Sequence, residues 1–178
     1  MRTLPDFLRP GLDLVFVGIN PGYYSAQVGH YFANARNRFW TAFNAAEIAP
    51  EMLGPLSDSK VLEYGIGFTD IVKRPTRGMG ELKQSEFKEG AGILVEKLFR
   101  YCPKVVCFNG VTGYKNFKKH TGSDVTDVSF GLQASRVAGA QVFVLPSTSP
   151  ANAVVSLDRV VEGMLQLKAL IISGKQGG

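Results

Sequence analysis

The chain has 178 residues, 45% of them hydrophobic and 20% charged, with mean hydropathy near zero. That is the size and composition of one globular domain able to support a core without disulfide or metal staples. No apolar run approaches the roughly 20 residues of a membrane-spanning helix, and Pro5, Asp6 and Arg9 interrupt any signal-peptide core, so a cytoplasmic protein is expected. The net charge of +5 gives a mild attraction to polyanions without identifying a site.

The first predicted element is a strand over residues 14–19, short, apolar and β-branched, as strands covered on both faces are. It feeds the turn Asn20-Pro21-Gly22. Proline fixes φ and lacks an N–H, while glycine lets a ligand approach the backbone, so Asn20 is a positioned amide beside an aromatic-rich loop carrying Tyr31 and Phe32. A helix is expected over 39–46. A longer one over 85–101 places Phe87, Ala91, Leu94, Val95 and Leu98 on one buried face, with Ser85 as N-cap, Glu86 in the first turn and Pro103 as its stop.

A strand over 105–108 and a helix over 111–119 follow, then an extra strand and turn built from Phe130-Gly131-Leu132-Gln133 and residues 136–140. A strand over 141–145 and a helix over 157–172 complete the order. Residues 1–173 read as a single domain and 174–178 as a frayed tail. The β/α alternation predicts a three-layer α-β-α sandwich with a mostly parallel central sheet.

In such a sheet, ligands bind outside the carboxyl ends of the strands, where Asn20, Asp70 and the segment 147–152 emerge. GxxxxGK[ST] is absent, as is GxGxxG after the first strand, which removes the main support for nucleotide-cofactor binding. GxSxG is missing too, and only His30 and His120 could serve as histidine bases, which argues against acyl transfer. Cys102 and Cys107 fit neither a disulfide framework nor a CxxC pair, and with two distant histidines they make no closed zinc site. They read as reduced core thiols, and neither metal nor cofactor is expected. Basic residues cluster at Lys73, Arg74 and Arg77 and again at Lys115, Lys118, Lys119 and His120, either as solvated surface or as polyanion contacts.

Gly18-Ile19-Asn20-Pro21-Gly22, followed by Asn37-Arg38-Phe39-Trp40, resembles the first motif of the mismatch-specific uracil/thymine DNA glycosylases, family 2 of the uracil-DNA glycosylase superfamily. The likeness continues through Gly67-Phe68-Thr69-Asp70-Ile71-Val72, Arg74-Pro75-Thr76, Glu86-Phe87-Lys88-Glu89-Gly90, Phe108-Asn109-Gly110 and Phe130-Gly131-Leu132-Gln133. Leu145-Pro146-Ser147-Thr148-Ser149 resembles the second motif, in the form of the thymine-DNA glycosylase branch. The resemblance covers nearly the whole chain. It implies a uracil-DNA glycosylase-like sandwich and a monomeric, metal-free, monofunctional enzyme. Such an enzyme hydrolyses the N-glycosidic bond of uracil, with thymine or damaged bases as further substrates, in mismatched DNA by base flipping.

By that resemblance Phe32 is the ring on which the flipped pyrimidine stacks, a contact worth about 1 to 3 kcal/mol. Asn20 suits the aiming of the attacking water, since an amide carbonyl accepts a hydrogen bond but has no useful basicity. Backbone N–H groups near Ile19, Gly22 and Tyr23 are the expected donors to the base oxygens. Asp70 departs from the Asn or Lys of similar members. It reads either as an auxiliary base or electrostatic stabiliser, or as a turn cap paired with Lys73 or Arg74.

Ser25 falls near the pyrimidine C5 edge and predicts uracil over thymine. Ser147 and Ser149 are expected phosphate grips, joined by Lys73 and Lys115 in DNA binding. Pro150, Ala151 and Asn152 stand where relatives carry an arginine or leucine wedge, which makes single-stranded substrates more plausible beside duplex G·U mismatches. The rival reading is a catalytically weak module that binds damaged bases. A nucleoside hydrolase acting on small molecules is less attractive because of the basic clusters.

Overall fold

The structure, a computed structural model, describes residues 3–176. Five strands form one sheet: β1 (Leu14–Gly18), β2 (Ile66–Asp70), β3 (Val105–Asn109), β4 (Gly131–Val137) and β5 (Ala140–Leu145), in the order β2-β1-β3-β5-β4. β1 pairs in parallel with β2 and β3, β3 pairs in parallel with β5, and β4 runs antiparallel to β5 as an edge. The chain moves from β1 outward to β2, then crosses to β3 on the other side of β1. The switch point therefore lies between β1 and β3, and a crevice opens at their carboxyl ends.

Period-two alternation sends the side chains of the inner strands to two cores. Leu14, Phe16 and Phe143 join a cluster with Phe39 and Phe43 of α2 (Phe39–Ala45) and with Val160, Met164 and Leu167 of α5 (Leu157–Gln176). Val15, Val17 and Val142 join Leu94 and Leu98 of α3 (Gln84–Tyr101) and Tyr114 and Phe117 of α4 (Val111–His120). The result is the α-β-α sandwich expected. Gly90 explains how closely α3 docks, because a Cβ there would lie 2.1 Å from the Ile71 carbonyl oxygen. That approach fixes the chain as it leaves β2.

Several local expectations differ from the structure. The aromatic loop begins as a short helix, α1 (Tyr23–Val28), stopped by Gly29 in the left-handed region at φ 83. Pro55–Tyr64 forms a 3-10 segment broken at Ser57, and pieces of this kind carry no 3.6-residue apolar stripe to reveal them. The N-cap of α3 is Lys83 rather than Ser85, with the Glu86 carboxylate accepting the Lys83 N–H at 2.8 Å. α5 continues to Gln176, so residues 174–176 are helical, while 177 and 178 lie outside the described residues. Only Cys107 is a core thiol, its pKa pushed up by burial. Cys102 is exposed at the left-handed end of α3. Among the described residues no helix is long and apolar enough to cross a membrane.

Candidate active site

The carboxyl ends of β1, β2, β3 and β5 surround a cavity of about 260 Å3. Asn20 enters it from the turn after β1 and is held through its amide nitrogen. Nδ2 donates to the Arg74 carbonyl at 2.9 Å and to Thr76 Oγ1 at 2.7 Å, with a longer contact to the Pro21 carbonyl at 3.3 Å. Backbone carbonyls can only accept, so the nitrogen must point toward them, and Oδ1 has no donor among the described residues. Thr76 is buried and passes its own proton to the Gly78 carbonyl at 2.9 Å, which leaves its oxygen ready for Asn20.

Asp70, at the end of β2, also lines the cavity and is only 5% exposed. It sits beside Gly18 in the β1–β2 register, and a Cβ on residue 18 would lie 2.6 Å from Asp70 Oδ1. The Lys73 ammonium stands 3.4 Å from Asp70 Oδ2 and 2.8 Å from Asp6 Oδ1, while Asp6 also pairs with Lys97 at 2.6 Å. Burial lifts the Asp70 carboxyl to about 6, against the pull of Lys73 and with Asp6 adding to the rise. Asp6 behaves oppositely: burial works against its charge, but Lys73 and Lys97 together hold it below the ordinary carboxylate range. Lys73, expected among the DNA contacts, thus has its ammonium engaged by two carboxylates of the protein.

The aromatic loop presents Phe32 with φ 53, a left-handed conformation costly for a bulky residue. Its flanks hold it there. Asp58 accepts the Tyr31 N–H at 2.7 Å, Trp40 Nε1 donates to the Tyr31 carbonyl at 3.0 Å, and Ala33 N–H donates to Ser25 Oγ at 3.1 Å. One face of Phe32 stacks on Phe39, with centroids 3.8 Å apart and planes 13° apart, and the ring also lines the cavity. The Tyr31 hydroxyl donates to the Pro5 carbonyl, and burial with the nearby Asp70 and Asp6 charges raises its pKa far above the usual phenol value.

The loop after β5 is held from two sides. Asn109, ending β3, donates to Thr148 Oγ1 at 2.9 Å and accepts the Thr148 N–H at 3.1 Å. Arg38 donates to the carbonyls of Ser147, Asn152 and Val155, and its own N–H reaches the Thr148 carbonyl. Ser147 Oγ accepts from the Ser149 N–H and Ser149 Oγ from the Ala151 N–H, and neither hydroxyl proton has an acceptor among the described residues. Neither Arg38, Asn109 nor Thr76 was singled out from sequence, although each lies in a motif quoted there.

A family model for the Uracil DNA glycosylase superfamily matches residues 5–165. The chain belongs to the uracil DNA glycosylase superfamily. In fold it is similar to the solution NMR structure of a protein from Methanosarcina acetivorans provisionally named a uracil DNA glycosylase. That match has a TM-score of 0.61 at 22% identity and covers 95% of this chain and 97% of the other. Membership in this superfamily carries a general activity, glycosylase chemistry on DNA.

Against that superfamily assignment, the cavity brings together Ile19, Asn20, Gly22, Ser25, Phe32, Asp70, Ser147, Ser149 and Pro150. Five expected residues, Tyr23, Lys73, Lys115, Ala151 and Asn152, do not line it. Tyr23 is a correction, because Gly22 and Thr76 pair as a parallel bridge and the Tyr23 N–H is taken by the Thr76 carbonyl at 3.2 Å. Ala151 is exposed outside the cavity, and the Asn152 side chain is turned back to donate to the Ser147 carbonyl at 3.0 Å, so it offers no free wedge. The second basic cluster is also divided. Lys118 is buried against Asp127, Lys119 and His120 contact Gln84, and Lys115 remains exposed on α4 away from the cavity.

Proposed function

We propose that the chain is a monofunctional repair glycosylase that releases uracil from mismatched DNA, leaving an abasic site. The supporting observation is one cavity holding the Asn20 amide, pinned through its nitrogen, together with the buried carboxyl of Asp70. A flipped pyrimidine stacks on Phe32, whose other face Phe39 already fills, and the stacking offsets part of the few kcal/mol of extrusion. Mispaired bases are the cheapest to extrude, which favours G·U sites over paired ones.

Asn20 Oδ1 accepts one hydrogen of a water and aims its oxygen at the anomeric carbon. As the C1′–N bond breaks, its electron pair leaves with the base and positive charge develops on the sugar. The ionised Asp70 stabilises that charge and takes the proton the water loses. The Gly22 N–H, which has no acceptor among the described residues and belongs to a residue lining the cavity, is a candidate to stabilise the departing base. Ser25 Oγ is fixed by the Ala33 N–H, so its hydroxyl cannot turn aside for a thymine methyl, and uracil is preferred over thymine. Ser147 and Ser149 donate to backbone phosphates.

The test is to incubate the protein with a G·U duplex, measure free uracil and alkali-labile abasic sites, and repeat with Asn20→Ala. Release that vanishes in the variant supports the reading. Tight binding without release by the wild type selects a damage-sensing module instead.

A further inference from the structure

Extraction of a nucleotide leaves a gap in the stack, which DNA-deforming proteins fill with an apolar side chain. The loop after β5 has little to offer for this. Pro150 is short and rigid, Ala151 lies outside the cavity, and the Asn152 amide is bound to the Ser147 carbonyl. In the sheet order, β2 and β5 flank the central pair β1 and β3, so the loop after β2 borders the crevice from the other side. That loop brings Arg77, Gly78 and Met79 to the cavity.

Met79 is 40% exposed at the cavity wall, and its unbranched thioether chain adapts to irregular apolar surfaces. Around both neighbours, Gly78 and Gly80, a Cβ would meet nothing within 4 Å, so a duplex can come close to the tip. The base of the loop is anchored. Thr76 N–H donates to the Pro21 carbonyl, Glu81 Oε1 accepts the Arg77 N–H, and Arg74 is tied to Glu86 and to the Glu81 carbonyl. Arg77 differs from Arg74 in having no carboxylate partner among the described residues.

We propose that the loop after β2 is the duplex-opening edge of this protein, with Met79 entering the base stack and Arg77 gripping an adjacent phosphate. The inference rests on the glycosylase reading for its substrate. The wedge is thereby on the loop that also positions Asn20 through Thr76, so opening the duplex and placing the water use one anchored segment.

The experiment compares wild type, Met79→Ala, Met79→Leu and Val154→Ala on a G·U duplex and on the same uracil strand alone. Val154 is included because it is an exposed apolar side chain in the loop after β5, at 95% exposure, though it does not line the cavity. Met79→Ala is expected to slow duplex cleavage about tenfold, with Met79→Leu restoring it and single-strand cleavage within about twofold of wild type. Arg77→Gln is expected to lower the salt slope of duplex binding by about one. Equal losses on both substrates, no loss in Met79→Ala, or a duplex-specific loss in Val154→Ala would overturn the proposal. If the wild type cleaves neither substrate, the glycosylase reading fails by itself. The fluorescence of 2-aminopurine placed beside the uracil then still decides this proposal, because only a stack-entering Met79 makes its rise on binding sensitive to Met79→Ala.

Discussion

The two sides of the cavity are built on opposite plans. On the side of β1 and β2, functional side chains are held by other groups: Asn20 by Thr76 and Arg74, Asp70 by Lys73, and Lys73 in turn by Asp6. On the side of β5, side chains hold the backbone. Arg38 and Asn109 fix carbonyls and an N–H group within residues 147–155, and Ser147 and Ser149 line the cavity. The first plan fixes individual atoms, as bond cleavage needs. The second fixes a surface, as gripping a phosphate chain needs.

This contrast is sharpest if damage to the first side lowers the rate while damage to the second weakens binding. Asn20→Ala should cost the most, about 10³-fold in single-turnover uracil release with duplex affinity retained. A comparable loss of affinity would erase the distinction. Asp70→Asn should follow, with a loss of about 10- to 100-fold at pH 8. The wild-type rate should fall as pH drops through about 6, where Asp70 takes up a proton, and that acid limb should be missing in the variant.

The same carboxyl makes a stability prediction of opposite sense. Its folded pKa of about 6 lies above the ordinary 3.8, so the fold binds more protons than the unfolded chain across that window. Ionisation therefore removes stability as pH rises between the two values, by about 3 kcal/mol. Melting curves should show Asp70→Asn gaining on the wild type above pH 6 and losing that advantage near pH 4.

Smaller effects test the supports. Thr76→Val should lower kcat about tenfold with KM unchanged, since Asn20 Nδ2 loses an acceptor, and Thr76→Ser should restore it. Arg38→Gln acts across the divide. It should leave the single-turnover rate at saturating DNA nearly unchanged, while weakening duplex binding a few-fold and lowering stability by about 1 to 3 kcal/mol. A rate loss larger than the affinity loss would mean that the two sides are not separate.

The sandwich was legible in the sequence because its inner strands are continuous apolar runs and α3 carries a clear stripe from Phe87 to Leu98. That Asn20, Phe32 and Asp70 would meet at one cavity was legible through motif order and, for Asn20 and Asp70, through their places at strand ends. What escaped were the residues whose role is relational. Arg38 lies 117 positions from Val155, and Thr76 lies 56 from Asn20, so no local pattern announces either contact. Asn152 was misread for the same reason: a free amide and one folded back onto Ser147 look alike in a sequence. Cys102 and Ser85 were missed at helix ends, where a shift of one or two residues changes exposure and capping.

Gly18 and Asp70 impose a rule on descent as well as on shape. With only 2.6 Å between a Cβ at 18 and Asp70 Oδ1, position 18 cannot gain a side chain while Asp70 keeps its place. A lineage that gains a side chain at 18 must first shorten or turn aside the group at 70. A side chain at 18 should therefore not co-occur with an acid at 70 among homologues, and a tally of the residues at these two positions would separate lineages that keep an acid in the crevice from those that have given it up.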